Sequence, residues 1–274
     1  HACGHDGHIA MLLGAARYLA QQGDFDGQVV FIFQPNEEHG FGAQAMIEDG
    51  LFEAHAIDEV YGMHNLPGLP VGTLASRPGP ITASESLFEI TVRARGGHAA
   101  LPHMGVDAIT VAAEIVGGLQ TIVSRKLDPG QNGVVSVTEF ITDGRRNVLP
   151  GQAVLKGDAR ALTPQATALI EKQMRQIVHG ICLAHDITAE VQFETFFPPT
   201  LNDAGKTADA MRAAGAVVGP TAVNSASSPK LFSEDFAHFV AARPGCFVLI
   251  GNGTEGAYAR PLHSADYDFN DAAL

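Results

Sequence analysis

At 274 residues with 46% hydrophobic side chains, the chain is long enough to bury a core and too apolar to be disordered. Its 17 Lys and Arg against 30 Asp and Glu leave a net charge of −13, which argues against nucleic acid or an anionic membrane as a partner and toward a small-molecule substrate. No apolar run approaches the roughly 20 residues that cross a bilayer. No signal-type leader is present, and Cys3, Cys182 and Cys246 are too scattered for a disulfide framework, so a cytoplasmic protein is expected. The chain has no initiator Met and opens inside its densest motif, so an upstream segment is expected to be absent.

Ile9, Leu12, Leu13, Ala16, Leu19 and Ala20 recur at three- and four-residue spacing and predict a helix over 6–22, capped by Asp6 and stopped by Gly23. The β-branched and aromatic run from Gln28 to Phe33 predicts a strand buried on both faces. A helix over 42–49 and a strand over 60–63 continue the alternation expected of a parallel α/β sheet. Near Ser84 the pattern changes: Phe88, Ile90, Val92 and Ala94 alternate with Glu89, Thr91, Arg93 and Arg95, as in a half-exposed strand. A helix over 106–124, strands over 134–140 and 153–161, a helix opened by Thr163-Pro164 and a strand over 187–196 complete a β-α-β-β-α-β order, that of a ferredoxin-like domain. Beyond Phe197-Pro198-Pro199, helices over 204–217 and 233–242 and a buried strand over 246–250 return to the first pattern. The expectation is an α/β protein in which residues 84–196 are inserted into a discontinuous domain made of 1–83 and 197–274.

The segment His1-Ala2-Cys3-Gly4-His5-Asp6-Gly7-His8 packs imidazoles, a thiol and a carboxylate together at the start of the first helix, a density that core packing does not explain. Cys and His are preferred ligands of zinc-like ions, and a neighbouring Asp can orient an imidazole. Cys3 and His5 also sit where unpaired helix N–H groups favour a thiolate. Two alternatives stay open: a surface loop, or Cys3 as a nucleophile with His5 or His8 as base, although so short a separation rarely gives that geometry. His8 is open between ligand and hydrogen-bonding neighbour. Glu37 and Glu38 follow the apolar run at the kind of strand end where open α/β sheets bind ligands. One carboxylate could bind metal while the other takes a proton from the attacking water. The alternative is a solvated acidic pair at a helix start. His64 and His263 are lone histidines that gain weight only beside Cys3, His5 and Glu38. Gly251-Asn252-Gly253-Thr254-Glu255-Gly256 matches the dinucleotide fingerprint, but 257–261 is a poor helix and no βαβ unit follows.

With these residues in view the chain resembles the peptidase M20 family, in its branch of N-acyl-amino-acid amidohydrolases that includes hippurate and auxin-conjugate hydrolases. The resemblance runs along nearly the whole length. It rests on residues 1–8, Gln34-Pro35-Asn36-Glu37-Glu38, Gly62-Met63-His64, Gly96-Gly97-His98-Ala99-Ala100 with Pro102-His103, Asn147-Val148-Leu149-Pro150, Ser233-Glu234-Asp235-Phe236 and Leu262-His263-Ser264. It implies a zinc-exopeptidase-like mixed-sheet catalytic domain, with 84–196 as a ferredoxin-like lid that also forms a homodimer contact. It further implies that Cys3, His5, Glu38, His64 and His263 hold two divalent cations, with Cys3 as the bridge, and that Glu37 is the general base. Zinc, manganese, cobalt and nickel all suit such ligands. By the same resemblance His98 stabilises the oxyanion, often across the dimer, while Asn147 and Arg160 hold an N-acyl-amino acid; a guanidinium fork suits its carboxylate. On its own, His98 reads as a turn histidine after Gly96-Gly97. Family members carry further strands and an Asp-rich block ahead of the Cys motif, and a longer closing helix after Asp271. A fragment, or a chain needing a complementing segment, is therefore also expected. The rival activities are a dipeptidase or carboxypeptidase on the same scaffold, and a non-catalytic metal-binding fragment.

Overall fold

Residues 2–274 are described by a computed structural model, and they divide into two compact units. The first runs through Ile81 and takes in Thr200–Pro229 and Asp235–Leu274; the second holds Thr82–Pro199 and Lys230–Glu234.

The first unit opens with α1 (His5–Gln22), which ends at Gly23, whose φ of 54° lets its N–H reach the Leu19 carbonyl. Asp6 does not cap it. Gly4 occupies the cap position without a side-chain bond, and Asp6 lies exposed in the first turn, where its charge suits the helix dipole. Ile9 and Leu13 of the anticipated apolar face are exposed, and Gly7 is the buried residue of the helix. The segment Gln28–Phe33 is the clearest departure from expectation: it belongs to no ladder among the described residues, and Val29 and Phe33 are exposed. Apolar composition makes a segment fit for a sheet, but only a neighbouring strand makes it a strand. The helices α2 (Gly42–Glu48) and α3 (Leu51–Ala54) follow, then the strands β1 (Val60–Pro67), β2 (Leu74–Ala75) and β3 (Gly79–Thr82).

The second unit contains β4 (Glu85–Arg93), β5 (Gly97–His98), α4 (Ala108–Thr121), β6 (Gly133–Thr142), β7 (Val148–Leu149), β8 (Gln152–Ala161), α5 (Pro164–Ala184) and β9 (Thr188–Phe197). Its main sheet has the order β6-β8-β4-β9 with every pair antiparallel, and Ile90 lies opposite both Leu155 and Val191. Alternation along β4 sends Phe88, Ile90 and Val92 into one cluster with Val111, Ile115 and Leu119 of α4 and Ile170, Met174 and Val178 of α5. Each large side chain removed from water there contributes roughly 1.5–3 kcal/mol. The Thr163 hydroxyl caps α5 by accepting from Ala166 N–H, and Pro164 fills the first helical position, where no N–H is needed. Lys230–Glu234 joins this unit through hydrogen bonds from Ala83 N–H to Phe232 O, Arg160 to Leu231 O and Ser233 Oγ to Glu85.

The chain returns to the first unit with β10 (Thr200–Asn202), α6 (Ala204–Val218), β11 (Val223–Asn224), α7 (Ala237–Ala242) and β12 (Gly245–Gly253). Its sheet has the order β1-β12-β2-β11. The fully buried β12 runs parallel to β1 and antiparallel to β2, so the sheet is mixed rather than parallel throughout. Cys246 and Val248 of β12 pack with Met211 of α6. The helix expected from Ser233 starts only at Ala237, because the preceding Asp235 carboxylate is engaged by Gln34 and Ala43. The protein has a mixed α/β fold, and among the described residues no helix is long and apolar enough to cross a membrane.

Candidate metal centre

β1 pairs in parallel with β12, with the buried His64 opposite Leu249 and the buried Asn65 opposite Ile250. The Asn65 carbonyl can only accept, so His64 Nδ1–H donates to it at 2.7 Å and Nε2 keeps its lone pair. That nitrogen lies 3.4 Å from Cys3 Sγ. Cys3 is 5% exposed, which removes the surface-loop reading of its segment. Asn65 directs both its backbone N–H and its side-chain Nδ2 at His8 Nε2, each at 3.0 Å, so that nitrogen faces Asn65 and His8 is a hydrogen-bonding neighbour. Burial, with repulsion from His64 and His5, lowers the His8 pKa to about 2. Burial, partly offset by the bond to Asn65, lowers His64 to about 4, and burial also lowers His5. Neutral imidazoles are the form that binds metal.

The two glutamates hang from a clamped turn. Asn36 takes a left-handed φ of 52°, which Asn tolerates better than most residues, and starts the single turn Glu37–His39. Behind it, one oxygen of the fully buried Asp235 accepts from Gln34 Nε2 at 2.5 Å and from Ala43 N–H at 2.6 Å. A Cβ on Gly42 would collide with the Pro35 carbonyl, so glycine is required where α2 approaches the loop. Burial raises the Asp235 pKa against these donated bonds. Glu37 Oε1 accepts from Asp235 N–H at 3.4 Å, while Glu37 Oε2 and Glu38 Oε1 each stand 3.7 Å from His5 Nε2. His263 arrives from the far end of the chain with a φ of 67°. Its N–H is held by Ala2 O at 2.6 Å and its Nε2 lies 3.3 Å from Glu38 Oε2.

Donor atoms of Cys3, His5 and His64 lie within 4.8 Å of one another, as do those of Cys3, Glu38 and His263, and those of His5, Glu37 and Glu38. Two of these sets share Cys3. A thiol, imidazoles and carboxylates drawn from four separate segments, with His64 Nε2 left free of protons by its own hydrogen bond, fit divalent cations of the zinc type.

The other anticipated residues lie in the second unit. His98 pairs with Val148 across the β5–β7 ribbon, and its Nδ1 accepts from Ala100 N–H at 3.0 Å, so the neutral ring carries its proton on Nε2. Asn147 uses its carbonyl to accept from Ala99 N–H. Each guanidinium nitrogen of Arg160 has a partner: Nε donates to Asp158 at 2.8 Å, Nη2 pairs with Glu85 at 3.0 Å and Nη1 donates to Leu231 O at 3.1 Å. Sequence reasoning assigned no role to Asn65, Asp235 or Tyr267. The available signal was a polar residue inside or beside an apolar run, which by itself does not name a partner.

Fold and donor cluster together are those of a metal-binding α/β protein, and the family of the chain makes that class metal-dependent hydrolases. The whole chain, residues 1–274, matches the model of peptidase family M20/M25/M40, and the chain belongs to that family. It is 39% identical over 257 residues to N-acetylcysteine deacetylase of Bacillus subtilis, covering 93% of this chain and 66% of that protein. To hippurate hydrolase of Campylobacter jejuni it is 37% identical over 274 residues, covering 100% of this chain and 70% of the relative. Among solved structures, a dinuclear metal-binding peptidase of the M20 family from Bacillus subtilis superposes with a TM-score of 0.85 at 31% identity, over 100% of this chain and 68% of that one. The chain thus spans about two thirds of the length of these relatives, and it falls in the amidohydrolase branch of a family of amide-bond hydrolases.

Proposed function

We propose that this chain carries the catalytic centre of a two-metal amidohydrolase that removes the acyl group from N-acyl-amino acids. The observation behind it is the pair of three-donor sets joined at Cys3, beside a further carboxylate, Glu37, oriented by the Asp235 N–H. Cys3, His5, Glu38, His64 and His263 would hold the cations, Cys3 being common to two of the donor sets. When bound, divalent cations of this kind polarise a carbonyl and acidify water. Zinc, manganese, cobalt or nickel would serve.

Glu37 acts as general base, taking a proton from the attacking water and passing it to the amide nitrogen as the C–N bond breaks. The Nε2–H of His98 is a donor suited to the developing oxyanion. Asn147 and Arg160 hold the substrate. Since Glu85 is paired with Arg160, a substrate carboxylate would exchange with Glu85. Residues 84–196, with the strand order of a ferredoxin-like fold, serve as lid and homodimer contact in a cytoplasmic enzyme.

Glu37→Gln tests the mechanism. Metal content should stay at the wild-type level while kcat falls by about 10²–10⁴-fold. Retained turnover would remove Glu37 from the reaction. Side-by-side kinetics on N-acyl-amino acids and dipeptides tests the substrate class, with a preference for dipeptides overturning the amidohydrolase assignment.

A further inference from the structure

Cys3 and His64 come from segments 61 residues apart, yet Sγ and Nε2 stand at 3.4 Å in a buried place. Something must hold those segments in register. The fully buried Asn65 makes the connection with its side chain as well as its backbone. Its Nδ2 donates to the Cys3 carbonyl at 2.7 Å and lies 3.0 Å from His8 Nε2, while Oδ1 accepts from Tyr267 OH at 2.9 Å. The Cys3 carbonyl cannot donate, which fixes which end of the amide faces it. One side chain therefore ties together the Cys3 segment, α1 through His8, β1 and the C-terminal loop through Tyr267. Gly4 belongs to the same arrangement. It has a φ of 79°, and a Cβ there would collide with both Tyr267 OH and Asn65 Nδ2, so the chain passes the amide only as glycine.

We infer that Asn65 is a positioning residue that fastens the Cys3 backbone to the strand carrying His64, with Tyr267 and His8 holding its amide in place. This rests on the two-metal reading above. Residues that orient ligands typically change metal affinity by about 10–100-fold when removed.

Cobalt(II) titration of the metal-free protein separates this role from ordinary buried packing. Affinity is read by competition with a chromophoric chelator, and the thiolate-to-cobalt charge-transfer absorption reports the Cys3 bond. The matched control is Asn202, also buried, which donates to Ser76 Oγ, Arg77 O and Phe247 O and accepts from Phe247 N–H. Asn65→Ala should lose about 10–100-fold in cobalt affinity and weaken the charge-transfer band. Tyr267→Phe, which removes a single bond and spares the fold, should move both readouts in the same direction by less. Asn202→Ala should unfold at lower denaturant yet bind cobalt as the wild type does. Wild-type affinity in both Asn65→Ala and Tyr267→Phe, or an equal loss in Asn202→Ala, overturns the positioning role. Absence of cobalt binding by the wild type would instead sink the two-metal reading, and this role with it.

Discussion

His8 and His64 are held as neutral imidazoles by burial, and that choice couples the fold to pH. Both have pKa values below the 6.5 of an ordinary histidine, His8 at about 2 and His64 at about 4. The unfolded chain therefore takes up protons that the folded one refuses. Stability from these groups is fully present above about pH 6.5 and is lost as pH falls, at about 1.4 kcal/mol per unit for each group. The loss from His64 levels off near its folded value, and that from His8 continues below it. For the metal-free protein, urea denaturation at about pH 7 and about pH 5 should show a clear drop, and His8→Gln, whose side-chain oxygen can still accept from Asn65, should show a shallower one. Equal slopes in the two proteins would mean that His8 titrates normally. At this scale the sequence shows donors well and their supports badly. Cys3, His5, Glu38, His64 and His263 are of the types that bind zinc-like ions, and the structure brings them together. Asn65 reads as one polar residue after His64, because its partners at 3, 8 and 267 are set by the fold.

At the scale of elements, the turn bearing Glu37 and Glu38 depends on a single carboxylate oxygen. Asp235→Ala would strand the Gln34 amide and the Ala43 N–H in a buried place, at a cost of about 1–3 kcal/mol. It should also lower kcat more than it changes KM, because Glu37 loses its fixed support. Asp235→Asn should restore most of both, since both bonds end on the same oxygen and an amide oxygen can accept them equally well. Stability and steady-state kinetics on the two variants check this, and an Asn variant as damaged as the Ala variant would show that the charge itself is needed. The helices and strands with strong periodicity were readable from the chain. Strand β4 alternates from Glu85 to Ile90, and α5 has its Thr-Pro opening. What failed were segments whose state is set by distant partners: Gln28–Phe33, which finds no ladder among the described residues, and Ser233–Phe236, drawn out of a helix by the Asp235 clamp. Local pattern encodes fitness for an element, whereas long-range pairing decides whether the element forms.

For the whole molecule, the proposed chemistry is divided between two units that each bury their own core, with Glu37 and the metal donors in one and His98, Asn147 and Arg160 in the other. Lys230–Glu234 shows how little chain order says about this division: it joins the second unit through bonds to Ala83, Arg160 and Glu85, far away in sequence. If His98 serves the active centre of a partner subunit, two inactive variants should complement. His98→Ala keeps its Glu37, and Glu37→Gln keeps its His98. A heterodimer then holds one complete centre, formed by the intact Glu37 of the first with the intact His98 of the second, and one centre lacking both. With free exchange in a symmetric dimer half of the dimers are mixed, so an equal mixture should regain about a quarter of wild-type activity. The measurement is hydrolysis of an N-acyl-amino acid after mixing, with exchange verified by co-purification of an affinity-tagged subunit. Full exchange without recovery would place the action of His98 within its own chain, and activity in His98→Ala alone would remove it from the chemistry.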